Sequence, residues 1–136
     1  MLHARLLARR CFSAWTDPKL ISSLFEDVAT VWNPDLGFEV GCWLRAGQIH
    51  RWFVENVQGR VDNCATYPVA TFQFYYLRAA CQQVLSNRHL ANKVLPPMED
   101  GHIDDDYYQQ LEDTIVMIDT CLSMPSTWDF YYCLSD

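Results

Sequence analysis

Apolar residues recur every three or four positions through much of this chain, and the rhythm breaks at proline, glycine and asparagine. Leu20, Ile21, Leu24, Phe25, Val28, Val31 and Trp32 predict a helix, opened by Asp17-Pro18 as cap and first-turn proline and ended by Asn33-Pro34. Phe38-Glu39-Val40 is short enough for a β-bridge or a tight entry into the next helix. That helix is expected over about Cys42 to Val57, with Gln58-Gly59 closing it because glycine takes the left-handed conformation of a helix end. Plotted at 100° per residue, its Ala46, His50, Phe53, Val54 and Val57 gather with Trp43 on one side. Arg45, Gln48, Trp52 and Asn56 gather on the other.

After a loop over Arg60 to Pro68, with a turn at Asp62-Asn63 and a short strand within Cys64 to Tyr67, helical spacing resumes. Ala70, Phe74, Leu77, Cys81 and Val84 predict a long helix from about Val69 to Ser86. Leu90, Val94 and Leu95 predict one further turn, which Pro96-Pro97 must break. The clearest helix follows Asp104-Asp105-Asp106, acids that suit a helix N-terminus, and carries Tyr108, Leu111, Ile115, Ile118 and Leu122. Ser123-Met124-Pro125 stops it, and Trp128 to Cys133 reads as a terminal strand or extended segment.

These elements lead to the expectation of a mainly α (α+β) fold, a compact bundle of four or five helices with a few short β segments. With 136 residues, half of them hydrophobic, the chain suits a single globular domain over 1–136, residues 1–16 being an N-terminal extension or first helix. The acid-free start containing Arg5, Arg9 and Arg10 fits a transit peptide or a surface-seeking helix, but an ordinary first helix is the preferred reading. No run of about eighteen apolar residues is present, so no membrane span is expected. No secretory signal is seen either, and a cytoplasmic location is the expectation.

Charge changes the picture more than composition does. The net charge is −7, and from Glu99 to Asp136 there are acids but no Lys or Arg. That argues against direct nucleic-acid binding, which is driven by counterion release at basic side chains. It suits a basic partner protein, or simply a solvated face. Cys11, Cys42, Cys64, Cys81, Cys121 and Cys133 lie far apart and read as reduced and mostly buried, Cys81 and Cys121 on apolar stripes. With no C-x-x-C spacing and with His3, His50, His89 and His102 scattered, neither a metal site nor a cofactor is expected.

No phosphate-binding glycine loop, nucleophile elbow or zinc-protease motif occurs, so an enzyme is the less favoured class. The acids Asp104 to Asp106 and Glu112-Asp113 read as a helix start and an exposed face rather than as acid–base pairs. His50 reads first as a core histidine bonded to a backbone carbonyl, and second as a ligand contact. Trp52 with Arg45, Gln48 and Asn56 offers an aromatic plane beside a guanidinium and two amides, a cradle for a base or an anion. Packing within the core or in a homo-oligomer interface is the competing account.

The stretch Glu39 to Gln58, EVGCWLRAGQIHRWFVENVQ, resembles an uncharacterised family of small bacteriophage-encoded proteins. Its pattern reads E-V-x-x-W-R-K-A-N-x-I-H-x-W-F-V-x-x-V-Q. Asp62, Cys64, Tyr67, Leu77, Cys81, Leu95-Pro96, Tyr107-Tyr108 and Tyr131-Tyr132 resemble its later parts, so the likeness spans about Glu39 to Asp136. Three positions depart: the arginine-lysine pair is Leu44-Arg45, the asparagine is Gly47, and the serine that would cap the third helix is Ala70. The resemblance implies a non-enzymatic phage accessory protein in the host cytoplasm that counters host defence. Two modes are expected: sequestering a small anionic, nucleotide-like ligand through Arg45, Gln48, His50, Trp52, Asn56 and Tyr67, or blocking a basic nucleic-acid-binding site of a host enzyme.

Overall fold

Residues His3–Arg10 form a strand, β1, whose alternate side chains Ala4, Leu6 and Ala8 are all 1% exposed or less. That two-residue period is what one buried sheet face demands. The computed structural model describes residues 2–10, 38–98 and 101–135, leaving aside the side chains at 10, 38 and 135. The helix expected over Leu20–Trp32 lies outside the described residues.

Strand β2 (Phe38–Leu44) runs antiparallel along one side of β1, with a shift of register between Leu6 and Leu7. Strand β4 (Trp128–Ser135) runs antiparallel along the other, from His3 opposite Ser135 to Arg10 opposite Trp128. The short β3 (Tyr67–Val69) pairs with β4, giving a four-stranded sheet ordered β2-β1-β4-β3.

Four helices follow from the strands among the described residues: α1 (Gly47–Asn56), α2 (Thr71–Ser86), the single turn α3 (Ala91–Val94) and α4 (Asp105–Ser123). Tyr107, Leu111, Thr114, Ile118 and Cys121 form the buried seam of α4, with Tyr108, Ile115 and Leu122 partly buried beside it. The core joins this seam to Phe53 of α1, Phe74 and Leu77 of α2, and Trp43 and Tyr132 of the sheet. Phe53 stacks on Tyr132 with ring centroids 3.9 Å apart, and Trp43 Nε1 donates to Thr114 Oγ1 at 2.8 Å. Each fully buried Phe or Leu contributes about 1.5–3 kcal/mol, so the core alone fixes how α4 and the sheet meet. Ala70 offers no capping oxygen to α2, but Gln73 Oε1 accepts from the Ala70 N–H at 2.7 Å.

A helical bundle is therefore not what this chain forms. It is an α+β domain built on an antiparallel sheet with two strands of eight residues and one of seven. Residues 3–10 are a central strand rather than a first helix, because cross-strand partners on both sides satisfy a backbone that helical spacing alone would have coiled. The helix expected from Cys42 begins instead at Gly47, after β2 has run to Leu44. The short strand falls at Tyr67–Val69, beyond the predicted Cys64 start. The helices over 71–86 and 105–123 and the turn near 91–94 lie where spacing placed them, and Gly59 has the left-handed φ of 61° expected of it. Cys81, Cys121 and Cys133 are buried free thiols, whereas Cys42 and Cys64 are exposed. Burial pushes the Cys81 and Cys121 thiols up to about 12, so both behave as small apolar groups at neutral pH.

Candidate functional site

Strand β2 must turn sharply into α1, and the turn is made by a residue that pays for it in backbone strain. Arg45 has φ 58°, a left-handed conformation costing a non-glycine residue roughly 1–2 kcal/mol. Its N–H donates to the Leu2 carbonyl at 2.9 Å, which holds the turn to the start of β1. Ala46 then occupies the N-cap of α1 and supplies no side-chain cap, and the first turn contains no acid. The positive end of the α1 dipole is thus left uncompensated by its own residues.

This helix end opens on a cleft of about 800 Å³, a volume usual for small-molecule sites. Arg45, Gly47 and Gln48 line one wall; Asp104, Asp106 and Gln110 of the α4 start line another, with Met98 and His102 between. A β-carbon on Gly47 would come within 2.7 Å of Met98 Cγ, so the absent side chain lets Met98 lie against the helix. Gln48 is 4% exposed and donates from Nε2 to Gln110 Oε1 at 2.8 Å, clasping the two walls together. At the α4 end, Asp104 Oδ1 accepts from the Tyr107 N–H at 3.0 Å. The Tyr107 hydroxyl donates to the Leu95 carbonyl at 2.6 Å, and burial foremost, then Tyr108 and Cys81, raises its ionisation.

A smaller cavity of about 300 Å³ lies on the other side of Met98, lined also by His50, Arg51, Val54 and Asp62. His50 is 2% exposed, and its Nδ1 lies 2.6 Å from the Tyr132 hydroxyl while Nε2 lies 2.9 Å from Asp62 Oδ1. An ionised Asp62 can only accept, so a neutral ring carries its proton on Nε2 and Nδ1 accepts from Tyr132. Burial first, then Asp62 and Cys133, raises the ionisation of Tyr132 and keeps it a donor. The chain runs from the half-exposed Asp62 into a fully buried phenol, so it anchors the 60–64 loop to the core. The backbone-carbonyl partner expected for His50 is replaced by two side chains.

The two described cavities do not bring the expected ligand residues together. Arg45 and Gln48 line the large cleft and His50 the small cavity, while Trp52, Asn56 and Tyr67 line neither. Trp52 is half-buried, edge-on to Phe53 at 5.3 Å. Asn56 Nδ2 donates to the Trp52 carbonyl, and the Tyr67 hydroxyl donates to Asn63 Oδ1. The physical cause is the true start of α1: with Arg45 outside the helix, it no longer shares a helical face with Trp52. Asp62 and Tyr132 enter the sequence reading only through a turn, a terminal strand and the family resemblance, His102 only as one of four scattered histidines, and no local motif marks Gln110. Asp104 and Asp106 were read correctly as a helix start, but what faces them is a matter of tertiary structure.

No protein-family model matches this chain, and no curated protein or solved structure matches it.

Proposed function

We propose that the cleft between the starts of α1 and α4 binds a small anionic, nucleotide-like ligand, and that the protein acts by sequestering it without chemistry. The observation that carries this reading is the uncapped, acid-free start of α1 beside Arg45, opening on a cleft of small-molecule size. Such an end favours a phosphate through its free N–H groups and dipole, and the guanidinium adds charge-assisted hydrogen bonds. The carboxylates of Asp104 and Asp106 on the facing wall repel a bare anion but accept from an exocyclic amine. A phosphate at one end and an amine-bearing base at the other satisfy both walls. The resemblance to phage accessory proteins makes a host defence signal the natural ligand class.

Calorimetry tests this with cyclic and adenine-derived nucleotides, inorganic phosphate and adenosine as separate arms. Expected is one-to-one binding of a nucleotide, weaker binding of either fragment, and a loss of roughly 10–100-fold in Arg45→Ala, the range for a charged hydrogen bond. No heat from any nucleotide at protein concentrations that detect micromolar affinity ends the proposal.

A second reading rests on α4, where Asp105, Asp106, Glu112, Asp113 and Asp119 are all exposed. Such a face suits docking on a basic nucleic-acid channel of a host protein. Capture of such a partner should weaken steeply with salt; salt-insensitive capture counts against it.

A further inference from the structure

In an unbroken strand, residues three apart point to opposite faces of the sheet. Glu39 and Cys42 of β2 are three apart, yet they come to the same side. The register runs Arg5 opposite Cys42 and Leu6 opposite Gly41, then jumps to Leu7 opposite Glu39, so Val40 has no partner in the pairing and packs against the core. This extra residue is a β-bulge, a device that re-aims one side chain without ending the strand. His3, diagonal to Cys42 on β1, completes a group whose three donor atoms lie within 4.8 Å of one another. The histidine is partly buried, and the glutamate and cysteine are exposed.

From this we infer that His3, Glu39 and Cys42 form a binding site for a divalent transition-metal ion, zinc by its donor set, separate from the nucleotide cleft and independent of that reading. One imidazole, one carboxylate and one thiolate are a borderline-soft set that suits zinc better than magnesium or calcium. Zinc sits about 2.3 Å from a thiolate and about 2.0–2.2 Å from imidazole or carboxylate, so three donors already clustered converge on it with small side-chain rotations. The clustering also speaks against a Cys-His-Glu relay. In a relay the thiol and the carboxylate engage opposite nitrogens of the ring and stand far apart, whereas here all three donors are mutual neighbours. Binding exchanges the Cys42 thiol proton and some of the metal's waters for three protein bonds, with the proton going to solvent. Thiolate, carboxylate and divalent ion sum to zero charge, so Arg5, cross-strand from Cys42, opposes the loaded site little. Among the described residues no fourth His, Cys, Asp or Glu joins the group. Sequence spacing gives no sign of the site because strand pairing, not proximity along the chain, brings His3 to Glu39 and Cys42.

Cobalt(II) titration of the chelator-treated full chain gives the test, with Co2+ as the probe and Zn2+ as competitor. Expected are one Co2+ per chain, a near-ultraviolet thiolate-to-cobalt charge-transfer band, intense visible bands of a four-coordinate ion, and release of about one proton at neutral pH. Cys42→Ser should abolish the charge-transfer band. Glu39→Gln should keep the band while weakening affinity about tenfold or more. Cys64→Ser, at the other exposed thiol, should change nothing. Zn2+ should displace the cobalt and raise the melting temperature of wild type but not of Cys42→Ser. Absence of the band in wild type, its survival in Cys42→Ser, or its loss in Cys64→Ser overturns the assignment. Cys42 and Glu39 are exposed, so neither substitution disturbs the core.

Discussion

Two helices begin at the same cleft and are treated in opposite ways. Helix α4 starts with Asp104 accepting from the Tyr107 N–H and carries Asp105 and Asp106 in its first turn, so its free donors and its dipole are answered from within. Helix α1 starts at Ala46 with no side-chain cap and no acid, preceded by an arginine in a left-handed conformation. A cap is among the easiest stabilising features to acquire, and the chain has one on the facing wall of the same cleft. The difference is what the proposed ligand reading rests on: α4 answers its free donors with its own side chains, and α1 does not.

The comparison breaks most visibly at Arg45. Its replacement by alanine should cost roughly 10–100-fold in nucleotide affinity by calorimetry. Arg45→Gly should lose affinity equally while raising stability by up to about 1 kcal/mol, because glycine relieves the left-handed strain. A destabilised Arg45→Gly protein would show that the strain is not stored there. Next, Asp104→Ala should remove about 1 kcal/mol and lower the melting temperature by about 3–5 °C. Asp104→Asn, which still caps, should leave the melting temperature nearly unchanged while tightening phosphate-bearing ligands.

Giving α1 the cap it lacks sharpens the contrast. Ala46→Ser should stabilise the protein by about 0.5–1 kcal/mol and weaken anion binding severalfold, since the hydroxyl then competes for the same N–H groups. Unchanged binding in that variant would remove the helix start from the site. The smallest effect is expected from Gly47→Ala, whose β-carbon must push the Met98 side chain aside. Stability should change by about 0.5 kcal/mol or less, as better helix propensity offsets the shift. Affinity should move only a few-fold, because Met98 is 38% exposed and free to turn.

What was legible in the chain follows from how local each signal is. Helix α4 could be read in full because its cap, acids, three-four spacing and terminal proline are all encoded within it. Strand β1 could not. Its inward set Ala4, Leu6 and Ala8 contains two alanines, which are no mark of a strand, and Leu7 beside Leu6 hides the alternation. The start of α1 was misplaced because the break at Arg45 is a left-handed non-glycine residue, which composition does not announce. That shift takes Arg45 off the helical face that a helix drawn from Cys42 would share with Trp52. Of the six expected ligand residues, Arg45 and Gln48 line the cleft, opposite residues that only the packing of α4 brings there.

The sheet order has a consequence for biosynthesis. Strand β1 is made early but lies between β2 and β4, and β4 occupies residues Trp128–Ser135. A nascent chain therefore carries a half-paired central strand until nearly all of the described sequence has left the ribosome. Pairings of such long sequence separation form slowly, on the millisecond-to-second scale of high-contact-order domains. Since Leu2 and Leu44 at the β1–β2 end also line the cleft, one wall of the cleft rests on a strand that β4 completes, and the binding proposed for it would follow the docking of β4.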